Sequence, residues 1–324
     1  MKALLCKEYG PPDKLVVEEI PPPSPADDEV LIRVRACGVN YPDNLVIAGK
    51  YQVKPPLPFS PGMELAGEII ETGRAVNGLR RGQRVAATPL VGGMAEQVCV
   101  PARAVVPIPD NMEFETAAGF IITYGTSYHA LTQRARLGAT EKLLVLGAGG
   151  GVGLTAVEIG SLLGAEVFAA ASSQEKLALA RERGAEHLID YSQRSLKEQV
   201  KELTDGQGVD VIYDPVGGEL FDDCLRSIAW RGRILVVGFA SGEIPKIPAN
   251  LTLLKGSSVV GVFWGAFVER EPDANRDNMQ TLLTWYQSAK LNPCIAANYA
   301  LADAPKAMQA LLERRAAGKL VVTM

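Results

Sequence analysis

Residues 142–163 read KLLVLGAGGGVGLTAVEIGSLL. A continuous apolar run meets a seven-residue stretch, 147–153, in which five residues are glycine, and a helix-length segment follows. Few folds accommodate this order. A buried strand must end, turn on almost no side-chain volume and enter a helix at once. The spacing Ala148-x-Gly150-x-x-Gly153 is a variant of the dinucleotide fingerprint with alanine in first place. Small residues let the turn close, let backbone approach a pyrophosphate and let the helix pack on the strand. Gly151 and Val152 complete the turn, where free N–H groups and the positive end of the helix dipole suit phosphate. Such a triplet alone also ends ordinary helices. Here a second strand, EVFAAASSQEK, follows at the expected interval of about twenty residues.

The tip of that second strand bears on which dinucleotide is bound. An NAD-preferring site places Asp or Glu there for the ribose 2′-hydroxyl. This chain has Ala171, Ser172 and Ser173. The two hydroxyls and Lys176 suit a 2′-phosphate through charge-assisted hydrogen bonds. The serines equally suit capping of the helix QEKLALARERG, and the two roles are compatible. NADPH is the expected cofactor, without the arginine usual at that tip.

Two further apolar strands, VDVIYDPVG and GRILVVGFAS, flank a helix candidate at ELFDDCLRSIA. Buried parallel strands covered by helices on both faces read this way. The first 115 or so residues differ: LVVEEI, EVLIRVRACGV, ELAGEIIETG, QRVAATPLV and AEQVCVP are short β-rich runs broken by Gly, Pro and Asn. They predict an antiparallel barrel or rolled sheet. ETAAGFIITYGTSYHALTQRA predicts a helix with a possible bend at Gly125, and the last stretch predicts helices and a closing strand. The expected fold class is therefore α/β in two domains, the number that 324 residues favour.

A formal net charge of −4 gives no bulk attraction to nucleic acid or anionic membrane. Cys6, Cys37, Cys99, Cys224 and Cys294 are odd in number and scattered, which predicts neither a disulfide framework nor a thiolate metal cluster. Charge at Lys7 and Glu8 interrupts any signal-peptide core, and no apolar run reaches membrane-spanning length. A soluble cytoplasmic setting is the expectation.

Several motifs together resemble the zinc-free quinone oxidoreductase branch of the medium-chain dehydrogenase/reductases over essentially the whole chain: ACGVNYPDNLVIAGKY, PFSPGMELAGEI, TYGTSYHAL, GAGGGVG and the terminal GKLVV. The resemblance implies a GroES-like β-rich catalytic domain from residues 1–118 and 261–324, around a Rossmann NADPH-binding domain at 119–260. Zinc-dependent relatives carry cysteine after the first GV and histidine in a G-H-E triplet. This chain has Asn40 and Met63 there, and neither amide nor thioether suits Zn²⁺. A third cysteine and the four-cysteine structural lobe are also missing, so no metal is expected. Without a Lewis acid, alcohol oxidation gives way to hydride delivery to an electron-poor acceptor.

The resemblance places Asn40, Tyr41 and Asp43 beside the nicotinamide and the acceptor. Asn40 is expected to donate to a quinone oxygen or hold water, and Asp43 to orient that network or simply to serve the turn after Pro42. Tyr51 matches a proton donor of enoyl reductases, or lines the pocket as an aromatic wall. Thr126 is expected at the nicotinamide amide or a phosphate, or as an ordinary helix threonine. Tyr191 is expected beside the 2′-phosphate. Gly238, Phe239 and Ala240 lie at a strand's carboxyl end, where nicotinamide binds, and Phe263, Trp264 and Gly265 are expected to extend this wall from the next strand. Lys319 either returns toward the cofactor or is solvent-exposed, and His129 reads as a core or interface histidine. The implied function is NADPH-dependent reduction of quinones. The alternatives are reduction of the C=C bond of enones or enoyl thioesters, or an NADPH-binding sensor or structural protein with little catalysis. The expected partner is a small-molecule quinone or enone with no nucleic acid, and VVGVFWG resembles the edge strand that pairs across a homodimer.

Overall fold

The computed structural model describes residues 1–324. In chain order the first part holds strands β1 (Lys2–Leu5), β2 (Val16–Glu19), β3 (Glu29–Val39), β4 (Leu65–Thr72), β5 (Arg84–Ala87), β6 (Gln97–Pro101) and β7 (Val105–Pro107), with helices α1 (Tyr41–Ile47), α2 (Phe114–Ala118) and α3 (Ile121–Tyr128). The middle holds β8 (Lys142–Leu146), α4 (Gly151–Leu162), β9 (Glu166–Ala171), α5 (Gln174–Glu182), β10 (His187–Asp190), α6 (Leu196–Leu203), β11 (Val209–Asp214), α7 (Leu220–Ser227) and β12 (Ile228–Val236). It continues through α8 (Ala249–Lys255), β13 (Ser258–Gly261), α9 (Trp264–Arg270) and α10 (Pro272–Gln287). The chain closes with β14 (Ile295–Ala300), α11 (Ala304–Leu312) and β15 (Lys319–Thr323).

Contacts divide the chain into one unit of Met1–Ile122 with Pro293–Met324, and a second of Thr123–Asn292. The second is built on a parallel sheet ordered β10-β9-β8-β11-β12-β13. The chain starts at β8, winds outward through β9 and β10, then returns to β11 on β8's other side. This is the doubly wound order, with its switch point between β8 and β11. The alternation of apolar strand and helix dictates it, because every crossover needs a helix and every central strand is covered on both faces. Leu143 to Leu146 are accordingly fully buried. Ser173 and Ser195 cap α5 and α6 by accepting the Lys176 and Glu198 N–H groups.

The first unit carries a seven-stranded sheet, β14-β15-β3-β4-β5-β7 with β6 also paired to β3, and a separate antiparallel hairpin of β1 and β2. Every pairing in the larger sheet is antiparallel except β14 with β15. Both chain ends therefore build one sheet, and β15 lies directly against β3.

Some elements differ from the sequence expectation. Residues 261–292 sit with the parallel sheet, whereas the sequence expectation sets the second crossing at 260/261. Side chains hold them there. Asn278 and Gln133 exchange amide hydrogen bonds at 3.1 and 3.2 Å, the Tyr128 and Trp285 rings meet edge-on, and Asn292 N–H donates to Glu158 at 2.6 Å. The helix is not interrupted at Gly125; it continues to Tyr128 and widens to a π-helix at His129–Arg134. Gly125 is instead where Trp264 packs, since a Cβ there would lie 2.9 Å from the indole. Phe263, Trp264 and Gly265 do not extend a strand: β13 ends at Gly261, Trp264 opens α9 and is buried, and Phe263 is exposed. No helix is long and apolar enough to cross a membrane.

Candidate active site

The chemistry-bearing residues form two groups, one in each unit. In the parallel-sheet unit, β8 ends at Leu146 and α4 starts at Gly151. Gly147 takes φ +58, and a Cβ on Gly153 would stand 2.1 Å from the Gly147 carbonyl oxygen, so only glycine lets α4 begin this close to its strand. Gly150 precedes α4 and no side chain caps the helix, which leaves the first-turn amides to a ligand or solvent. The chain after β11 turns beside this one: a Cβ on Gly147 would meet Val216 and Pro215 at 3.2 and 3.7 Å. The buried Asp214 carboxylate shapes that second turn by accepting the Val216 and Gly217 N–H groups at 2.8 and 2.9 Å. Burial nonetheless pushes its pKa up.

The strand tips bring the other cofactor candidates to the same end of the sheet. Ser172 is exposed, and Ser173 caps α5. The Lys176 stem lies over the glycine turn, where a Cβ on Gly149 would come within 2.4 Å of Lys176 Cβ. Tyr191 leaves β10 with its N–H on the Ala171 carbonyl at the tip of β9. Gly238, Phe239 and Ala240 follow β12, and Ala240 N–H donates to the Pro215 carbonyl. Thr126 is buried on α3.

A hydroxyl chain that the sequence reading missed lies behind this turn. Ser127 Oγ is 3.0 Å from Tyr213 Oη, 2.8 Å from Thr155 Oγ1 and 2.9 Å from the Val152 carbonyl, and Thr155 Oγ1 is 3.1 Å from the Thr123 carbonyl. Fully buried Tyr213 must donate to Ser127, which ties β11 and α3 to the first turn of α4. Separately, Tyr124 donates to the buried Glu158 at 2.6 Å. His129 is the core histidine expected: buried, stacked on Phe267 and hydrogen-bonded to Gln133, with its pKa lowered by burial.

In the other unit, Asn40 lies between β3, which ends at Val39, and α1, which starts at Tyr41. Asp43, in the first turn of α1, is buried, and its two oxygens accept the Asn40 and Met63 N–H groups at 2.8 and 3.1 Å. Asp43 thus stitches the segments around Asn40 and Met63 together, a role beyond an ordinary turn residue. Its pKa rises to about 6, chiefly through burial, against the lowering effects of those N–H groups and of Lys319. Tyr51 is half-buried against the same core as Met63, and burial followed by the Asp43 charge raises its phenol pKa. Tyr41 stands at the start of α1, also half-buried.

Lys319 is not solvent-exposed. Its ammonium donates to Asn40 Oδ1 at 2.6 Å and to fully buried Glu64 at 2.9 Å. Asn40 Nδ2 in turn donates to the Gly38 carbonyl and to Glu64, both at 3.2 Å, and the second Glu64 oxygen accepts Ile122 N–H at 2.8 Å. Both Asn40 amide hydrogens are therefore engaged, and a bond to an acceptor oxygen requires one to be released. No group of three or more His, Cys, Asp or Glu side chains is arranged to hold a metal ion. An ammonium beside Glu64 is also the wrong neighbour for a dication. The sequence signal for this cluster was Glu64 following Met63, but its partner lies 255 residues away along the chain.

Two family models match: the alcohol dehydrogenase GroES-like domain over residues 26–110, and the zinc-binding dehydrogenase model over residues 151–287. The chain is 42% identical to a quinone oxidoreductase-like protein 2 homolog of Nematostella vectensis, covering 99% of this chain and 88% of that one. It is 34% identical to a quinone oxidoreductase of Pseudomonas aeruginosa, covering 99% of both. The fold superposes with a TM-score of 0.93 on the crystal structure of Escherichia coli quinone oxidoreductase complexed with NADPH, at 26% identity and full coverage of both chains.

Proposed function

Because the chain belongs to the quinone oxidoreductase family of medium-chain dehydrogenases and reductases, we propose that it reduces quinones with NADPH and without a metal. The observation that carries this reading is the tip of β9, where Ser172, Ser173 and Lys176 stand without a carboxylate beside an uncapped, glycine-built helix start. The first-turn amides of α4 hold the pyrophosphate, and Ser172, Ser173, Lys176 and Tyr191 hold the 2′-phosphate. When bound, NADPH supplies a hydride, and one proton from solvent completes the hydroquinone. The protein's own residues contribute binding, orientation and a fixed polar field around Asn40. The ammonium of Lys319 takes the cationic place beside Glu64, so no step passes through zinc.

A second reading rests on Tyr51. A half-buried phenol held protonated near Asp43 suits proton delivery to the developing enolate of an enone. Metal-stripped protein offered NADPH or NADH with quinones, enones and enoyl thioesters decides the matter. Fast NADPH-specific turnover of quinones supports the first reading, enone preference moves the function to Tyr51-assisted double-bond reduction, and binding without turnover refutes both.

The partner we assign is a second copy of this chain. Edge strand β13 pairs only with β12. In the same unit, Trp230, Ile244, Leu253 and Leu254 are 67%, 73%, 80% and 70% exposed, and large apolar side chains left in water are what a second copy would cover. Light scattering that returns a monomer mass at micromolar concentration would remove this assignment.

A further inference from the structure

Lys319 reaches its position through a passage made by two glycines. A Cβ on Gly38 would lie 2.9 Å from Lys319 Cε and 2.0 Å from the Ala118 carbonyl oxygen, and one on Gly119 would lie 2.8 Å from Lys319 Cγ. Neither glycine has a positive φ, so neither is there for backbone freedom. Both are there for space. Three separated segments, ACGVN, TAAGF and GKLVV, thus cooperate to bring one lysine stem into the interior.

A buried ion pair is a poor way to hold a strand in place. Taking both charges out of water costs about as much as their attraction returns, and apolar replacements of similar volume are often as stable or more so. What the pair does fix is the orientation of a carboxamide. Asn40 Oδ1 faces the ammonium, and Nδ2 faces two acceptors. The flipped amide would set its NH₂ against Lys319, donor against donor.

The structure assigns to Lys319 the role of a positioning residue that sets the Asn40 carboxamide for the reaction, with Glu64 as its counter-charge. The assignment rests on the proposed reading in which Asn40 borders the acceptor. Lys319 acts through Asn40 rather than through the cofactor's phosphates.

The test compares wild type, Lys319→Met and the double variant Lys319→Met/Glu64→Gln. The measurements are thermal stability, NADPH affinity by fluorescence, quinone turnover, and the ¹⁵N-edited signal of the Asn40 side-chain amide, assigned by its loss in Asn40→Ser. Lys319→Met alone leaves Glu64 charged and uncompensated, so it is expected to lower the melting temperature. The double variant removes both charges, keeps an oxygen for Ile122 N–H, offers its NH₂ to an Asn40 carboxamide that Lys319 no longer holds, and is expected to regain stability. In both variants kcat is expected to fall about 10- to 100-fold, the scale of a misplaced reacting group. NADPH affinity is expected to stay within about 2-fold, since its phosphates are held elsewhere. The Asn40 amide signal should shift and lose its protection from solvent exchange. If turnover returns together with stability in the double variant, Lys319 merely neutralises Glu64 and the assignment falls. An Asn40 amide signal unchanged in Lys319→Met overturns it equally. That signal is read without any acceptor, so a wild type that turns over no quinone refutes the proposed function while the positioning role is still decided.

Discussion

Replacing Lys176 by methionine isolates the charge from which NADPH preference is argued. The structure dictates methionine rather than alanine. The Lys176 stem covers the glycine turn so closely that a Cβ on Gly149 would lie 2.4, 2.6 and 3.0 Å from its Cβ, Cγ and Cα. Alanine would strip that cover from the pyrophosphate turn and confuse two effects, whereas methionine keeps most of the volume and removes the ammonium. A hydrogen bond to a charged group contributes about 1.5–3 kcal/mol. At about 1.4 kcal/mol per decade, NADPH affinity should weaken roughly 10- to 100-fold. NADH has no 2′-phosphate and its affinity should stay within about 2-fold. Titrations of both cofactors against intrinsic fluorescence, at low and high salt, make the measurement. The wild-type preference should shrink with salt, because a half-exposed charge pair is screened, and the variant's residual preference should shrink less. Equal weakening of NADPH and NADH would show that Lys176 shapes the turn and does not read the phosphate. No weakening of either would remove Lys176 from the site.

Two further predictions follow from buried groups. Asp43 has its pKa raised to about 6 by burial, so its protonated form is the one the fold favours. The associated stability is complete below the unfolded value near 4 and lost as pH rises through about 6, a swing of about 3 kcal/mol. Urea denaturation of wild type and Asp43→Asn at stepped pH should show their stability difference drifting against wild type from pH 4 to 7, and a flat difference would rule the titration out. Ser127→Ala leaves the buried Tyr213 hydroxyl without its acceptor and should cost about 1–3 kcal/mol, while adding Tyr213→Phe should recover part of that. A double variant less stable than Ser127→Ala would show that the hydroxyl chain is not what links these two residues.

Legibility in the sequence tracked the distance over which the physics acts. The strand, glycine turn and helix at 142–163 are local: period, volume and capping are fixed by neighbours, and the structure has β8, the turn and α4 there. The β-rich texture of the first third likewise reflects alternation within each strand. The crossing near 260 was harder to place. Apolar strand and helix text continues across it, and contacts distant in sequence, among them those of Gln133, Tyr128, Glu158 and Arg183, attach α10 and Asn292 to the parallel sheet. Phe263–Gly265 were misread for a related reason, since VVGVFWG is equally good strand text until Trp264 finds the gap over Gly125.

The sequence by itself determined a nucleotide turn of nearly bare backbone, a strand tip without a carboxylate, and Asn40 and Met63 where neither side chain suits zinc. These are properties of residue type at fixed spacing, and no packing can alter them. Tertiary structure alone decided what occupies the space beside Glu64. Lys319, 255 residues away, arrives there because β15 pairs with β3 and because Gly38 and Gly119 leave room for its stem. An ammonium can enter the interior only where an anion and an amide oxygen already wait for it. That meeting is a property of the folded chain.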